Sequence, residues 1–258
     1  MVVAPSGGGG LGVARALAAE GADISLCARD PQALARAHVE VNALGAGDVL
    51  SMPADLRDDF VAAEWVRRTA DAFGGPDIVV TDSGGLDRPP DGFRISDYRA
   101  AIDADVLTHI SVTLAALPCM KVRGGGRVMM IAPAVSGHGT SEPSVASVTR
   151  MGLLGYMRGL VRALGDTGVT VNVLSPGARR TPDPPAGLRG VMPYAGRAFG
   201  PNGRGAVEPA GDDGLGSLAV YLAGDTGAAI TGTAFGGYDD VPGLALDVDW
   251  GPGRCPSD

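Results

Sequence analysis

Three groups of residues in this chain have types and spacings that could do chemistry. The first is Ser6-Gly7-Gly8-Gly9-Gly10-Leu11-Gly12, set between the apolar Val2-Val3-Ala4 and a helical pattern. Glycine has no Cβ, so the chain can turn tightly and a phosphate can approach the backbone. A helix starting there points its free N–H groups and the positive end of its dipole at the turn. The second group is His138 with Ser136, Thr140, Ser141 and Glu142 close by. An imidazole near its ordinary pKa can act as acid or base with little tuning; the alternative is a loop histidine facing water. The third is Asp105 and His109, four apart on one predicted helix face and spaced to pair. They are either a working dyad or a buried or interface polar pair. Tyr156 and Tyr194 carry phenols, which need a nearby cation to work near neutrality. No metal-ligand spacing is visible.

The bulk composition narrows the class. The 258 residues are 45% hydrophobic and 19% charged, enough for one large α/β domain with a real core. A net charge of −8 argues against nucleic acid and anionic membranes as partners. Cys27, Cys119 and Cys255 are odd in number and widely spaced, which points to a reducing, cytoplasmic setting without a disulfide frame. Apolar runs fall short of the roughly 18 residues of a membrane helix, and no basic stretch precedes the first strand. Neither a membrane span nor a signal peptide is expected.

The elements that must position these residues alternate strand and helix. Strands are predicted at 2–4, 23–28, 49–53, 77–81, 127–131, 169–174 and 233–235. Helices are predicted at 11–20, 31–44, 58–73, 96–122, 144–164 and 213–223. That rhythm implies parallel βαβ units with right-handed crossovers. The expected fold is α/β: a single-domain, doubly wound, Rossmann-type parallel sheet with helices on both faces over 1–258. Ligands in such sheets sit at the carboxyl ends of the strands. The site segments are therefore 6–12, 27–30, 55–56, 82–85, 132–143 and 175–200. The irregular, Gly- and Pro-rich 178–211 is expected to act as a substrate lid. Its apolar Pro184-Pro185-Ala186-Gly187-Leu188 and Val191-Met192-Pro193 suit a small apolar carbonyl-type ligand.

An acid at the end of the second strand accepts hydrogen bonds from the ribose of NAD and repels the extra phosphate of NADP. Here Cys27 and Ala28 stand there, followed by Arg29, whose cation suits a 2′-phosphate. If a dinucleotide binds, NADP(H) is favoured; otherwise Arg29 is an ordinary surface arginine.

Over nearly its whole length the chain resembles the compact short-chain dehydrogenase/reductases. The family's Thr-Gly-x-x-x-Gly-x-Gly falls on Pro5 to Gly12, with Ser6 at the first glycine and matches at Gly10 and Gly12. The resemblance puts the adenine-contacting Asp at Asp55, beside Leu56. It puts Asn-Asn-Ala-Gly at Thr81-Asp82-Ser83-Gly84, the strand with Pro-Gly at Asn172 to Gly177, and Ile-Thr-Gly at Ile230-Thr231-Gly232. It implies cofactor contacts from Ser6, Gly10, Leu11, Gly12, Asp55, Leu56, Ser83, Gly84, Pro176 and Gly177. It also implies dimers or tetramers packed through two long helices.

The family's Asn-Ser-Tyr-Lys set does not carry over. Aligned through Gly152-Leu153-Leu154-Gly155, Tyr and Lys fall on Ala146 and Arg150, Ser on Pro133 and Asn on Asp105. Lys121 is the sole lysine and precedes the fifth strand, so no shift of register restores the pair. Arg150 can still offer a cation to ribose, but it cannot release a proton at useful pH. Three expectations follow: a non-catalytic partner subunit of an active relative, a non-redox enzyme such as a cyclase or dehydratase, or a reductase with another proton donor. His138, Asp105 and Tyr194 are the candidate donors.

Overall fold

The computed structural model describes residues 2–3, 9–45, 47–83, 94–132, 145–175, 178–180, 207–209 and 213–235. A seven-stranded sheet holds β1 (Val2–Val3), β2 (Ile24–Ala28), β3 (Val49–Pro53), β4 (Ile78–Asp82), β5 (Gly126–Ile131), β6 (Val169–Leu174) and β9 (Ala234–Phe235). Their order is β3-β2-β1-β4-β5-β6-β9, and neighbours run parallel. Strand order reverses between β1 and β4, where Val2 pairs with Leu26 on one side and Val80 on the other. This is the doubly wound sheet that the strand–helix rhythm predicts.

Strands covered on both faces read as unbroken apolar runs. Ile-Ser-Leu-Cys-Ala in β2 and Val-Thr-Val-Asn-Val-Leu in β6 are buried at every position. The polar members find partners. The Trp65 indole N–H donates to Ser25 Oγ at 2.8 Å, and Ser25 shares a hydrogen bond with Thr69. Asn172 donates to the Ile230 carbonyl and accepts from Thr233 N–H, while Val171 N–H donates to Thr231 Oγ1. Two motifs that the sequence offers separately, around Asn172 and Ile230-Thr231-Gly232, thus lock to each other.

The helices divide between the faces. One face carries α1 (Gly9–Ala19), α2 (Pro31–Asn42) and α7 (Asp213–Ala223), burying Val13, Leu17, Leu34, Val41, Leu215 and Leu222. The other carries α3 (Asp59–Phe73), α5 (Thr108–Val122) and α6 (Val145–Leu164), burying Trp65, Val112, Met120, Leu153 and Met157. Asp30 caps α2 by accepting from Gln32 and Ala33 N–H, with Pro31 in the first turn. Gly74, at φ 78°, ends α3 in the left-handed conformation.

Three departures from the sequence pattern bear on the site. The first helix begins at Gly9, inside the glycine run, where a Cβ would lie 2.5 Å from Leu215 Cδ1. The predicted helix 96–122 is α4 (Ile95–Ala101) and α5 joined by a π-helical turn, Ile102–Leu107. Such turns insert one extra residue per turn and often mark functional positions. The stretch 175–211 is not wholly irregular: β7 (Ala178–Arg180) and β8 (Val207–Pro209) pair antiparallel. The 28 residues from Ile95 to Val122 match a membrane span in length and composition. In this fold, half of the helix's most apolar 18-residue window is buried inside the protein.

Candidate functional site

A cleft with about 440 Å³ of open space lies at the carboxyl ends of β2, β3 and β4. Arg29 from the end of β2, Asp55, Leu56 and Arg57 after β3, and Asp82 and Ser83 from β4 line it. Ala104 and Thr108, at the π turn, close one wall. The parallel register explains the grouping. Ala28 is level with Pro53, and Ala54 N–H donates to the Ala28 carbonyl. Arg29 and Asp55 therefore leave neighbouring strands side by side.

Asp55 is held by Arg57. The guanidinium Nε donates to both carboxylate oxygens, at 2.9 and 3.0 Å, and Nη2 also bonds Oδ2. The Arg57 backbone N–H adds a bond of 3.1 Å. These contacts hold the Asp55 carboxyl below its usual range, with Arg29 adding a smaller pull. Among the described residues Arg29 has no hydrogen-bond or ion-pair partner. The Cys27 thiol beneath is pushed up to about 12 by burial and then by the Asp55 charge. It is neutral at ordinary pH.

The amino end of α1 meets β4 through Gly10 N–H, which donates to Asp82 Oδ2 at 2.8 Å. The carboxylate is buried. It gives the free N–H groups of the helix an acceptor within the chain.

Beneath the cleft, Asp105 and His109 are both buried, at 1% and 0% exposure. The expected pairing of the two is absent. Thr81 on β4 shares a 2.5 Å hydrogen bond with His109 Nδ1, while His109 Nε2 and Asp105 Oδ1 have no partner among the described residues. The strand at the helix's back competes successfully for the imidazole. Burial lowers the His109 pKa to about 3, so the ring is neutral. Burial raises the Asp105 carboxyl above its usual range, opposed by the nearby Ser83 hydroxyl and Arg29.

On α6, Ala146 is half-buried and Arg150 is buried, with Thr149 Oγ1 donating to the Ala146 carbonyl. The buried Tyr156 hydroxyl has no partner among the described residues, and burial pushes it up to about 12. It cannot serve as an acid near neutrality. Leu11 and Gly12 lie in the first turns of α1. Of the candidate residues, Ser6, Gly84, Pro133, Ser136, His138, Thr140, Ser141, Glu142, Pro176, Gly177 and Tyr194 lie outside the described residues, as does most of the lid. Among the described residues no group of three or more His, Cys, Asp or Glu could hold a metal. Sequence reasoning missed Arg57, because an arginine two residues after an aspartate reads as ordinary surface.

The structure brings Arg29, Asp55, Leu56 and Ser83 into one cleft, and Gly10 bonds Asp82 in its lining. A family model described as enoyl-(acyl carrier protein) reductase matches residues 3–236. D-beta-hydroxybutyrate dehydrogenase of Rhizobium meliloti is 30% identical over 90% of this chain and 94% of its own length. Ketoacyl reductase HetN of Nostoc sp. is 28% identical over 69% of this chain and 62% of its own. A structure from Sinorhizobium meliloti assigned as a short-chain alcohol dehydrogenase superposes with a TM-score of 0.72. It is 25% identical, covering 92% of this chain and 94% of that one. The chain belongs to the short-chain dehydrogenase/reductase family.

Proposed function

We propose that this chain is a divergent member of the family that holds NADP(H) in the β2–β4 cleft but lacks the usual Asn-Ser-Tyr-Lys chemistry. The observation that carries the reading is Arg29: an arginine with no hydrogen-bond or ion-pair partner among the described residues, lining the cleft where the strand end offers Cys27 and Ala28 in place of an acid. Guanidinium matches phosphate in charge and shape. The residues present fit such a cofactor, with Leu56 and Ser83 on the walls and the start of α1 beside Asp82. When bound, NADPH supplies a hydride. What the chain supplies is orientation of the nucleotide and, on α6, Ala146 and the buried Arg150 at the positions corresponding to Tyr and Lys. Neither can give up a proton near neutrality.

The substrate class we assign is an acyl or polyketide-like carbonyl compound. The apolar lid sequence supports it, as do the ketoacyl reductase and enoyl reductase descriptions of similar proteins. A partner role, within a homo-oligomer or beside an intact relative, is favoured by apolar side chains left exposed on the long helices. Leu107, Leu114, Val148 and Met151 are 44, 55, 45 and 54% exposed. A non-redox cyclase or dehydratase, or a ketoreductase drawing its proton from His138, Asp105 or Tyr194, is the competing enzyme reading. Free, buried or half-buried Cys27 and Cys119 support a reducing, cytoplasmic setting.

The test is fluorescence titration with NADPH and NADH, followed by hydride transfer to a panel of ketones. Tighter binding of NADPH without turnover is expected. Failure of both nucleotides to bind would overturn the cofactor assignment, and turnover of simple ketones would overturn the loss of standard activity. Copurification with an active relative would select the partner role.

A further inference from the structure

We propose that Arg57 sets the cofactor choice of this cleft without touching the cofactor. By forking onto Asp55 it keeps that carboxylate from pairing with Arg29, and so leaves the Arg29 guanidinium available for the 2′-phosphate of an NADP-type dinucleotide. The inference rests on the reading above that this cleft takes NADP(H).

The geometry makes Asp55 the natural partner of Arg29. The two residues leave adjacent parallel strands just beyond the Ala28–Pro53 register pair, and both line the cleft. Arg29 is close enough for its charge to act on Asp55. A surface guanidinium beside an uncommitted carboxylate would pair with it. Yet Arg29 has no partner among the described residues, because Asp55 is already engaged. Its two oxygens receive the Arg57 fork and the Arg57 backbone N–H. That pairing spans two residues of one loop, so closing it orders little chain. The longer-range pairing with Arg29 must bring together residues of separate strands. Local chelation wins, and the positive charge of the cleft is concentrated at the end of β2. Arg57 is thus a positioning residue: its fork cancels the Asp55 charge and leaves that of Arg29 uncancelled.

Two small nucleotides isolate the effect: 2′,5′-ADP carries the 2′-phosphate and 5′-AMP does not. Calorimetric titration of the wild-type protein is expected to show tighter binding of 2′,5′-ADP. Arg57→Gln should cut that preference, read as the ratio of the two dissociation constants, roughly ten-fold, the loss of about one charged hydrogen bond. Asp55→Asn combined with Arg57→Gln should restore the preference, since the carboxylate released by the loss of Arg57 is then gone. Full preference retained in Arg57→Gln would overturn the inference. So would a double variant that stays as poor as the single one, since that result means Arg57 grips the phosphate itself. A wild-type protein that binds both nucleotides equally would instead overturn the NADP(H) assignment on which the inference stands. Both arginine and aspartate are exposed by about half, so these variants leave the core intact.

Discussion

At the scale of single residues, the two buried groups beneath the cleft bend stability with pH in opposite directions. His109 in the folded protein titrates near 3, below its usual 6.5. As pH falls below 6.5 the unfolded chain takes up a proton that the folded one refuses, so stability is lost at up to about 1.4 kcal/mol per pH unit. By pH 4.5 that is about 2–3 kcal/mol, and His109→Gln should remove this share of the acid sensitivity in urea titrations at pH 7 and 4.5. Asp105 is raised instead, so the folded state keeps its proton longer than the unfolded one. Its contribution is present below the usual carboxylate range and is lost as pH rises above it. Asp105→Asn should therefore stabilise the protein at pH 7, by about 1 kcal/mol, and make no difference at pH 3. Calorimetric melting across that range checks the crossover. The i, i+4 spacing of Asp105 and His109 was legible in the sequence, but their partners were not. Spacing places two side chains on one helix face and is silent about Thr81, which comes from a strand 28 residues earlier. Arg29 was legible because the strand before it is an unmistakable apolar run. Arg57 was not, because its role depends on which strands lie side by side.

Among elements, the contact between α1 and α7 governs where the amino end of α1 sits beside the cleft. Gly216 is buried, and a Cβ there would meet Ala16 Cβ at 2.9 Å and the Gly12 carbonyl at 3.1 Å. Both belong to α1, whose first turns hold Gly10 against Asp82. Gly216→Ala should push α1 away, costing about 1–3 kcal/mol as overpacking does and weakening NADPH binding as well. Thermal melting with nucleotide titration tests both halves; a drop in stability with unchanged affinity would separate the helix contact from the cradle. The alternation of strands and helices was readable from periodicity alone, since β2 and β6 are mostly apolar and their flanking helices amphipathic. The π turn at 102–107 was not, because its apolar and polar residues suit an ordinary helix equally well. The short pairing of β7 with β8 was hidden too, since Ala-Arg-Arg and Val-Glu-Pro carry almost no strand signal.

For the whole molecule, the exposed apolar side chains of α5, α6 and the turn before α5 set the expected assembly. Burying Leu107, Leu114, Val148 and Met151 against a second chain would remove surface that a lone domain leaves in water. Light scattering should find a dimer or larger, and Leu114→Glu with Met151→Glu should shift it toward monomer without changing the secondary structure. The architecture also ties distant parts of the chain together in time. The glycine cradle is fastened by a bond between Gly10 and Asp82, 72 residues apart, and β1, only two residues long, takes one of its three register pairs from β4. At a synthesis rate of about 5–20 residues per second, the growing chain waits roughly 4–14 seconds between making the cradle and making the strand that fastens it. A nascent chain cut short before β4 has α1 without the Asp82 carboxylate that its amino end bonds, so the order of synthesis decides when this corner of the fold can form.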